Sequence, residues 1–465
     1  MTQRRGFLIG LGAGVAGTLA AGRGWDRLFK NKARPPWALE HSNGSFWMDS
    51  AGYDAHPPKP PLNARQHKTD VLIIGGGFTG MSTAWHLREL RPDAEITLID
   101  GARCGFGASG RNGGWCMGAN YNAMATRPDL AGAAREFMQA GVGIVRGLED
   151  QGIACDFTPA RQLYVVRTPE DAGLLEGKIA GVAAVDIPVQ PLDRSALAAR
   201  YHTDDFAAGA FFEDGSASIH PGKLALGLRN RLIDSPVRMF EGTKVLSIEG
   251  GGRPRATTEY GVIEASEIVL ATNAYSCAVG EFSDRYVPMI SNVIATEPLS
   301  AAQLDAIGFR QGEQLSMGDS GEGYFYAILT SDNRMLIGGG HPTHNYGGAL
   351  HNGNLRSETD YLEDYLTGRL WPQLEGVTIT HRWGGNTCIT RDFLFSLGRH
   401  PERENVYYAL GYSGEGVSTS FAAGRTLAEL MADVDSPLTR SPFVGRELGY
   451  VPGEPLLSPL LRIMT

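Results

Sequence analysis

The sequence predicts a mixed α/β (α+β) fold: a Rossmann-like dinucleotide-binding domain carrying an inserted, mainly antiparallel-sheet domain. Three observations predict it. A short apolar run, Val71 to Ile74, leads into Gly75-x-Gly77-x-x-Gly80 and an amphipathic segment from Met81 to Leu90, and Asp100 closes a second apolar strand, Ile96 to Ile99. Between Tyr286 and Gly340 the pattern changes to alternation of apolar and polar positions, as in Tyr324-Phe-Tyr-Ala-Ile-Leu329 and Arg334-Met-Leu-Ile-Gly338. Near the end, Asn405 to Leu410 reads as a strand running into Gly411-Tyr-Ser-Gly-Glu-Gly-Val417 and then a helix over Ser418 to Ala432.

Each part of the opening motif has a physical task. The glycines permit a tight turn, close approach of backbone to a pyrophosphate, and helix packing directly on the strand. The helix that follows offers free N–H groups and a positive dipole end to phosphates. An acid at the position of Asp100 accepts the hydrogen bonds of a ribose diol. Strand, turn, helix and acid in this order predict dinucleotide binding.

The chain of 465 residues is long enough for two domains. A net charge of −9 leaves no basic stripe to neutralise phosphates, which argues against a nucleic-acid partner. Glycine is abundant, 61 of 465, without a collagen-like period, so the chain makes many tight turns. Cys104, Cys116, Cys155, Cys277 and Cys388 are scattered and odd in number, and read as free thiols.

At the N-terminus, Arg4-Arg5 precedes an uncharged Gly-, Ala- and Leu-rich stretch from Gly6 to Gly22. It has the length and flank of a signal peptide and resembles a twin-arginine export signal. A periplasmic location follows as the expectation, with retention at the membrane through this segment as the alternative and the twin-arginine machinery as a partner. Residues 31–67 are polar and proline-rich, with Pro35-Pro36 and Pro57-Pro58-Lys59-Pro60-Pro61, and are expected to form an extended arm. Trp37, Phe46 and Trp47 are its docking candidates.

After Asp100, the run Gly101 to Trp115 carries six glycines, with Ser109, Arg111 and Asn112 between them. It is expected to wrap a ligand with backbone N–H groups. Helices are expected at Pro128 to Gln151 and Ser195 to Tyr201, and extended chain at Gln162 to Arg167 and Ile187 to Pro191. A three-strand meander is expected over Gly242–Ile248, Arg255–Thr258 and Gly261–Ala265, followed by a separate strand, Glu267 to Ala274.

The fingerprint Gly75 to Gly80, the run Gly107-Ala-Ser-Gly-Arg-Asn-Gly-Gly114, the strand end Ala271-Thr-Asn-Ala274 and the turn Gly411 to Gly416 together resemble the D-amino-acid-oxidase-like flavoprotein superfamily. Within it the likeness is greatest to gamma-glutamylputrescine oxidoreductase-like and glycine or sarcosine oxidase-like enzymes, over roughly Ser45 to Leu456. The resemblance implies FAD, bound non-covalently, and no second fingerprint is present for a nicotinamide dinucleotide. It implies that Gly75, Gly77, Thr79 and Gly80 hold the pyrophosphate and Asp100 the ribose. Ser109, Arg111, Asn112 and Gly114 would line the flavin side, Val245 would meet the adenine, and Thr272, Gly411, Gly414, Gly416 and Val417 would complete the cofactor site. The implied boundaries are a signal at 1–30, the arm at 31–67, an FAD-binding domain at 68–125, 206–285 and 380–435, a substrate domain at 126–205 and 286–379, and a tail at 436–465.

The departures bear on the substrate. Glu415 stands where relatives commonly carry His, and Ser418 where sarcosine-oxidase-like enzymes carry a carboxylate-binding Lys; Ile328 and Leu336 stand at positions where relatives have cations. Arg161, Arg285 and Arg334 are the replacement candidates. Cys388 lies near the position used for covalent flavin attachment. Tyr324, Tyr326, Trp383 and Glu415 are the candidate substrate contacts; no catalytic residue is nominated. His341-x-x-His344 has a metal-like spacing without Cys or acid neighbours, and no metal is expected. The implied function is an exported FAD-dependent oxidoreductase that oxidises the C–N bond of an amine or amino acid, with oxygen or a quinone-like acceptor. A flavin-dependent hydroxy-acid dehydrogenase, a flavoprotein acting on a peptide or protein partner during maturation, and a flavoprotein without catalytic activity are the alternatives.

Overall fold

In a computed structural model, which describes residues 44–318, 324–350 and 353–458, two large sheets meet across a cavity. The signal segment and Trp37 lie outside the described residues.

The first sheet is built on Gln66–Ile74. This strand pairs in parallel with Ile96–Ile99 on one side and along its length with Val262–Leu270 on the other. Val262–Leu270 is long enough to serve two neighbours on its far edge. Its first half pairs antiparallel with Arg255–Thr258, and its second half pairs in parallel with Val406–Leu410. The expected third strand of the meander and the strand after it are therefore one element. Val71, Leu72 and Ile73 are fully buried, as a parallel strand covered on both faces requires.

The helix Phe78–Leu90 starts three residues before the sequence periodicity places it, because the fingerprint glycines themselves enter the first turn. A Cβ on Gly80 would lie 1.9 Å from the Gly75 carbonyl oxygen, so helix and strand pack at a distance that only glycine allows. The long helix Gly416–Met431 crosses Phe78–Leu90 with equal closeness: a Cβ on Gly424 would meet that of Ser82 at 2.5 Å. It also lies on Pro128–Asp150, where a Cβ on Gly141 would meet the Ser418 carbonyl oxygen at 1.9 Å.

The second sheet runs in the order Ile379–Thr390, Tyr286–Pro298, Arg334–Thr343, Tyr324–Leu329, Glu313–Gly318, Arg161–Val166, Ala208–Phe212, Val189–Asp193. Its pairs are antiparallel except Glu313–Gly318 with Arg161–Val166. Ala208–Phe212 and Ile379–Thr390 still belong to the second sheet, so the chain returns to the first sheet after each of them.

The arm docks through Phe46–Ser50. Ser45 caps this helix by accepting from the Met48 N–H and donates to the Gly110 carbonyl at 2.6 Å. The Trp47 indole N–H donates to the Asn112 carbonyl at 2.7 Å. Phe46 and Trp47 are buried with Val293, Ala295, Ile328, Leu336 and Trp383 in one apolar cluster behind the second sheet. Ile328 and Leu336, where the resemblance implies cations, are thus part of a core that the arm completes.

Candidate active site

The C-terminal ends of Gln66–Ile74, Ile96–Ile99, Val262–Leu270 and Val406–Leu410 open on the same side, the usual ligand face of a parallel sheet. Backbone bonds lock these ends together: the Gly75 N–H donates to the Ile99 carbonyl at 2.8 Å and the Ala271 N–H to the Ile74 carbonyl at 2.9 Å. Gly75 turns the chain with φ of +107°, and a Cβ there would lie 2.5 Å from the Ala271 carbonyl oxygen. The turn delivers the first N–H groups of Phe78–Leu90 to a cavity of about 1070 Å³. That volume lies at the top of the ~300–1,000 Å³ typical of small-molecule sites, which suits a dinucleotide together with a substrate.

At the nucleotide end, Asp100 lines the cavity with Thr243 and Val245. Its carboxylate accepts from the Gly76 N–H and the Ala102 N–H, each at 2.7 Å, leaving lone pairs for further donors. Burial pushes this carboxyl up to about 6, and the two backbone donors pull it back. A diol donating to Asp100 supplies what such a buried carboxylate lacks. Gly77 lines the cavity at the helix start, and a Cβ added there would reach within 3.0 Å of Ser109 Oγ and narrow the cradle. An anion-binding helix start, an acid for a ribose and an elongated apolar cavity fit FAD.

The loop from Gly101 to Trp115 closes over this start. Ser109 Oγ accepts from the Phe78 N–H at 2.9 Å. Asn112 uses its amide to shape the loop, donating to the Ala108 and Ser109 carbonyls and accepting from the Gly114 N–H. Arg111 lines the cavity with its guanidinium stacked on Phe106 and donating to the Phe106 and Gly384 carbonyls. Thr79 joins the fingerprint helix to the late turn through its hydroxyl contact with Tyr412 at 2.6 Å.

Most of the residues implied by the resemblance reach the cavity: Gly75, Gly77, Thr79, Asp100, Ser109, Arg111, Asn112, Val245, Thr272, Gly414, Gly416, Val417, Tyr324, Tyr326 and Glu415 line it. Four lie behind it. Gly80 is a packing glycine. Gly114, with φ of +77°, backs onto the Ile219 carbonyl and Trp47. Gly411 packs against Thr390 and donates to Asn273 Oδ1. Trp383 is fully buried in the arm cluster, and its indole N–H donates to the Arg111 carbonyl at 2.9 Å. It holds the loop Gly101 to Trp115 from behind and does not line the cavity.

Tyr326 is the better-built wall. Its ring occupies a slot where a Cβ on Gly113 would come within 2.5 Å and one on Gly338 within 2.3 Å. It packs edge-on to Trp115 and stacks on Tyr324. The replacement cations are committed elsewhere: Arg161 pairs with Glu313, Arg285 with Asp284, and Arg334 with Asp332. Ser418 is buried and donates to the Met117 carbonyl at 2.6 Å. Cys388 is fully buried, with its thiol pushed far up by burial, and is not among the cavity-lining residues. His341 and His344 turn to separate partners, Glu358 and Glu454.

Glu415 is buried at the start of Gly416–Met431 and faces the cavity. Oε1 accepts from Asn122 Nδ2 at 3.2 Å, while Oε2 has no hydrogen-bond partner among the described residues. Burial pushes the carboxyl up to about 8; Lys178 and the backbone amides of Asn122 and Tyr121 pull it down, and Asp214 raises it. Lys178 comes from the helix Ala172–Ala183 of the inserted domain and lines the same end of the cavity. The sequence reading missed it. It is one Lys in an unremarkable helix, and only the packing of the inserted domain brings it to Glu415.

The comparisons with known proteins agree with this geometry. The family described as FAD-dependent oxidoreductase matches residues 70–430. The gamma-glutamylputrescine oxidoreductase of Escherichia coli K12 is 30% identical over 430 residues, covering 89% of this chain and 96% of that protein. The glycine oxidase of Geobacillus kaustophilus is 24% identical over 401 residues, covering 83% and 99%. The crystal structure of glycine oxidase from Geobacillus kaustophilus superposes with a TM-score of 0.69 at 20% identity, over 82% of this chain and all of that one. The L-proline dehydrogenase from P. horikoshii gives 0.65 at 19% identity, over 81% and 96%.

Two outcomes are expected from this site. Replacing Asp100 by Ala removes an ionic acceptor whose hydrogen bonds are worth about 1.5–3 kcal/mol, so FAD binds roughly 10- to 100-fold more weakly, read as flavin retained per chain after gel filtration. The second concerns pH. Glu415 holds its proton more tightly in the folded protein than at its ordinary value of 4.5, so its contribution makes the apoprotein less stable as pH rises from 4.5 to about 8. Asp100 acts with the same sign up to about 6, and the groups facing Glu415 are Lys178, Asn122, Tyr121 and Asp214. Glu415→Gln is therefore expected to flatten the fall in Tm between about pH 6 and 8, checked by thermal scans of both apoproteins.

Proposed function

The chain belongs to the FAD-dependent oxidoreductase family, and we propose from that premise that it oxidises the C–N bond of an amine or amino acid and acts after export. The observation that carries the substrate half is the buried, cavity-facing carboxyl of Glu415, with one oxygen unpartnered among the described residues. Such an oxygen is an acceptor for a substrate ammonium. The names of the relatives, gamma-glutamylputrescine oxidoreductase and glycine oxidase, point to the same class.

When bound, FAD supplies the two-electron acceptor that turns an amine into an imine, which water then hydrolyses. The protein's part is to bind, orient and deprotonate. Gly75, Gly77 and the start of Phe78–Leu90 would hold the pyrophosphate, and Asp100 the ribose. Gly414 and the start of Gly416–Met431 line the cavity and would offer backbone donors and a positive helix end to the ring system, stabilising the negative charge that develops on reduction. Tyr324 and Tyr326 wall the substrate space. An ammonium carries no lone pair to assist oxidation, so it must lose a proton first. Ionised Glu415 Oε2 takes that proton, leaving neutral amine and neutral carboxyl. A carboxyl raised toward neutrality is matched to this exchange.

The test is an anaerobic substrate screen of the FAD-loaded protein, followed at the flavin absorbance bands. Bleaching by amines or amino acids, with none by 2-hydroxy acids of the same carbon skeleton, is the expected outcome. Bleaching by hydroxy acids alone would replace the reading with alcohol oxidation, and no bleaching by any small molecule would point to a protein substrate or to an inactive site.

Export rests on Arg4-Arg5 and the uncharged stretch behind them. Changing both to Lys is expected to hold the folded, flavin-containing protein in the cytoplasm, as read by fractionation of a bacterial host. Unchanged periplasmic recovery would remove twin-arginine export from the proposal.

A further inference from the structure

Lys178 reaches the cavity with little to neutralise it. Its ammonium donates to the Tyr121 carbonyl at 3.3 Å and lies 5.7 and 5.6 Å from the ring centroids of Tyr121 and Tyr164. Among the described residues it forms no ion pair with a carboxylate. Burial lowers its affinity for the proton, and Glu415 alone opposes that effect. The half-buried ammonium is partly withdrawn from water with no anion in contact, which is unfavourable. Two aromatic faces and one carbonyl offset only part of it.

Glu415 does not complete the pair. It shifts Lys178 through space, yet its Oε1 is taken by Asn122 and its Oε2 is unpartnered. The cavity therefore takes an amine side chain from the helix Ala172–Ala183 and a carboxyl from the late turn into the same lining, with no hydrogen bond between them. A ligand with the opposite polarity satisfies both. Tyr164 and Phe212 line the same end and supply apolar surface for a short methylene chain.

Resting on the reading of Glu415 as the amine acceptor, we propose that Lys178 binds a substrate carboxylate, so that the substrate is an amine that also carries a carboxylate. A plain alkylamine or diamine leaves Lys178 unpaired and binds less well. Lys178 is a specificity-determining residue here.

The experiment is calorimetric binding to the FAD-loaded protein under anaerobic conditions. The probes are an ω-amino acid series from glycine to 6-aminohexanoate, the matching n-alkylamines, and the matching carboxylates. In the wild type, at least one amino acid is expected to bind about tenfold or more tightly than its alkylamine, a difference of ~1.4 kcal/mol. Lys178→Met is expected to abolish that advantage and the binding of the carboxylate, with alkylamine affinity unchanged. Lys178→Arg is expected to restore it in part. Flavin content and Tm verify that each variant folds, and Lys178→Gln serves if the Met variant does not. Equal affinity for amino acid and alkylamine in the wild type overturns the proposal, as does an advantage that survives in Lys178→Met. No binding by any member of the series overturns it too. Binding that depends on Lys178 without flavin bleaching by any amine would leave this site standing and remove the oxidation reading. Bleaching by alkylamines with no dependence on Lys178 would do the reverse.

Discussion

Everything in this molecule depends on a contact that leaves no room for a side chain: the carbonyl of Gly75 against the backbone of Gly80. A Cβ there would sit 1.9 Å from the oxygen. The contact draws the start of Phe78–Leu90 down onto the end of Gln66–Ile74, so its free N–H groups face the cavity at the level where the neighbouring strands also end. Gly424 against Ser82 and Gly141 against Ser418 repeat the same solution on the outer layers. The glycine-rich composition is in part the cost of stacking three helices over one sheet at backbone distance.

The arm and the second sheet carry a different constraint. The strands Tyr324–Leu329 and Arg334–Thr343 present Ile328 and Leu336 to a layer that needs an apolar cover, and Phe46 and Trp47 provide it. Ser45 just ahead of the same helix and Trp47 within it fasten the loop Gly101 to Trp115, and Trp383 fastens it from the sheet. Apolar residues at 328 and 336 and the docked arm thus belong to one cluster. An apolar plug cannot coexist with a buried charge that has no partner.

Charge at the substrate end is arranged across two domains. Glu415 stands at the start of Gly416–Met431 and Lys178 on the helix Ala172–Ala183, and both line the cavity. Asn122, Tyr121 and Asp214 surround them and set how readily Glu415 ionises. Such an arrangement ties the geometry of the inserted domain to the electrostatics of the site.

The cofactor half of the site was legible in the sequence because it is local. Strand, glycine turn, helix start and Asp100 fall within one short segment whose geometry follows from backbone conformation, and the family match over residues 70–430 agrees with it. Local pattern also located the helices Pro128–Asp150 and Gly416–Met431 and most strands of the second sheet. It did not tell a lining glycine from a packing one: Gly77 and Gly114 look alike in sequence, yet one faces the cavity and the other faces Trp47. Nor did it show Trp383 turned away from the cavity, Ala208–Phe212 and Ile379–Thr390 joining the second sheet, or Lys178 approaching Glu415. These are contacts between residues hundreds of positions apart or between faces of one strand. The chain's own periodicity specifies which positions are buried, whereas what they are buried against depends on how separate elements dock. By itself the sequence determined the fold class, the family and the nucleotide end; the tertiary structure alone decided which charges meet at the substrate end.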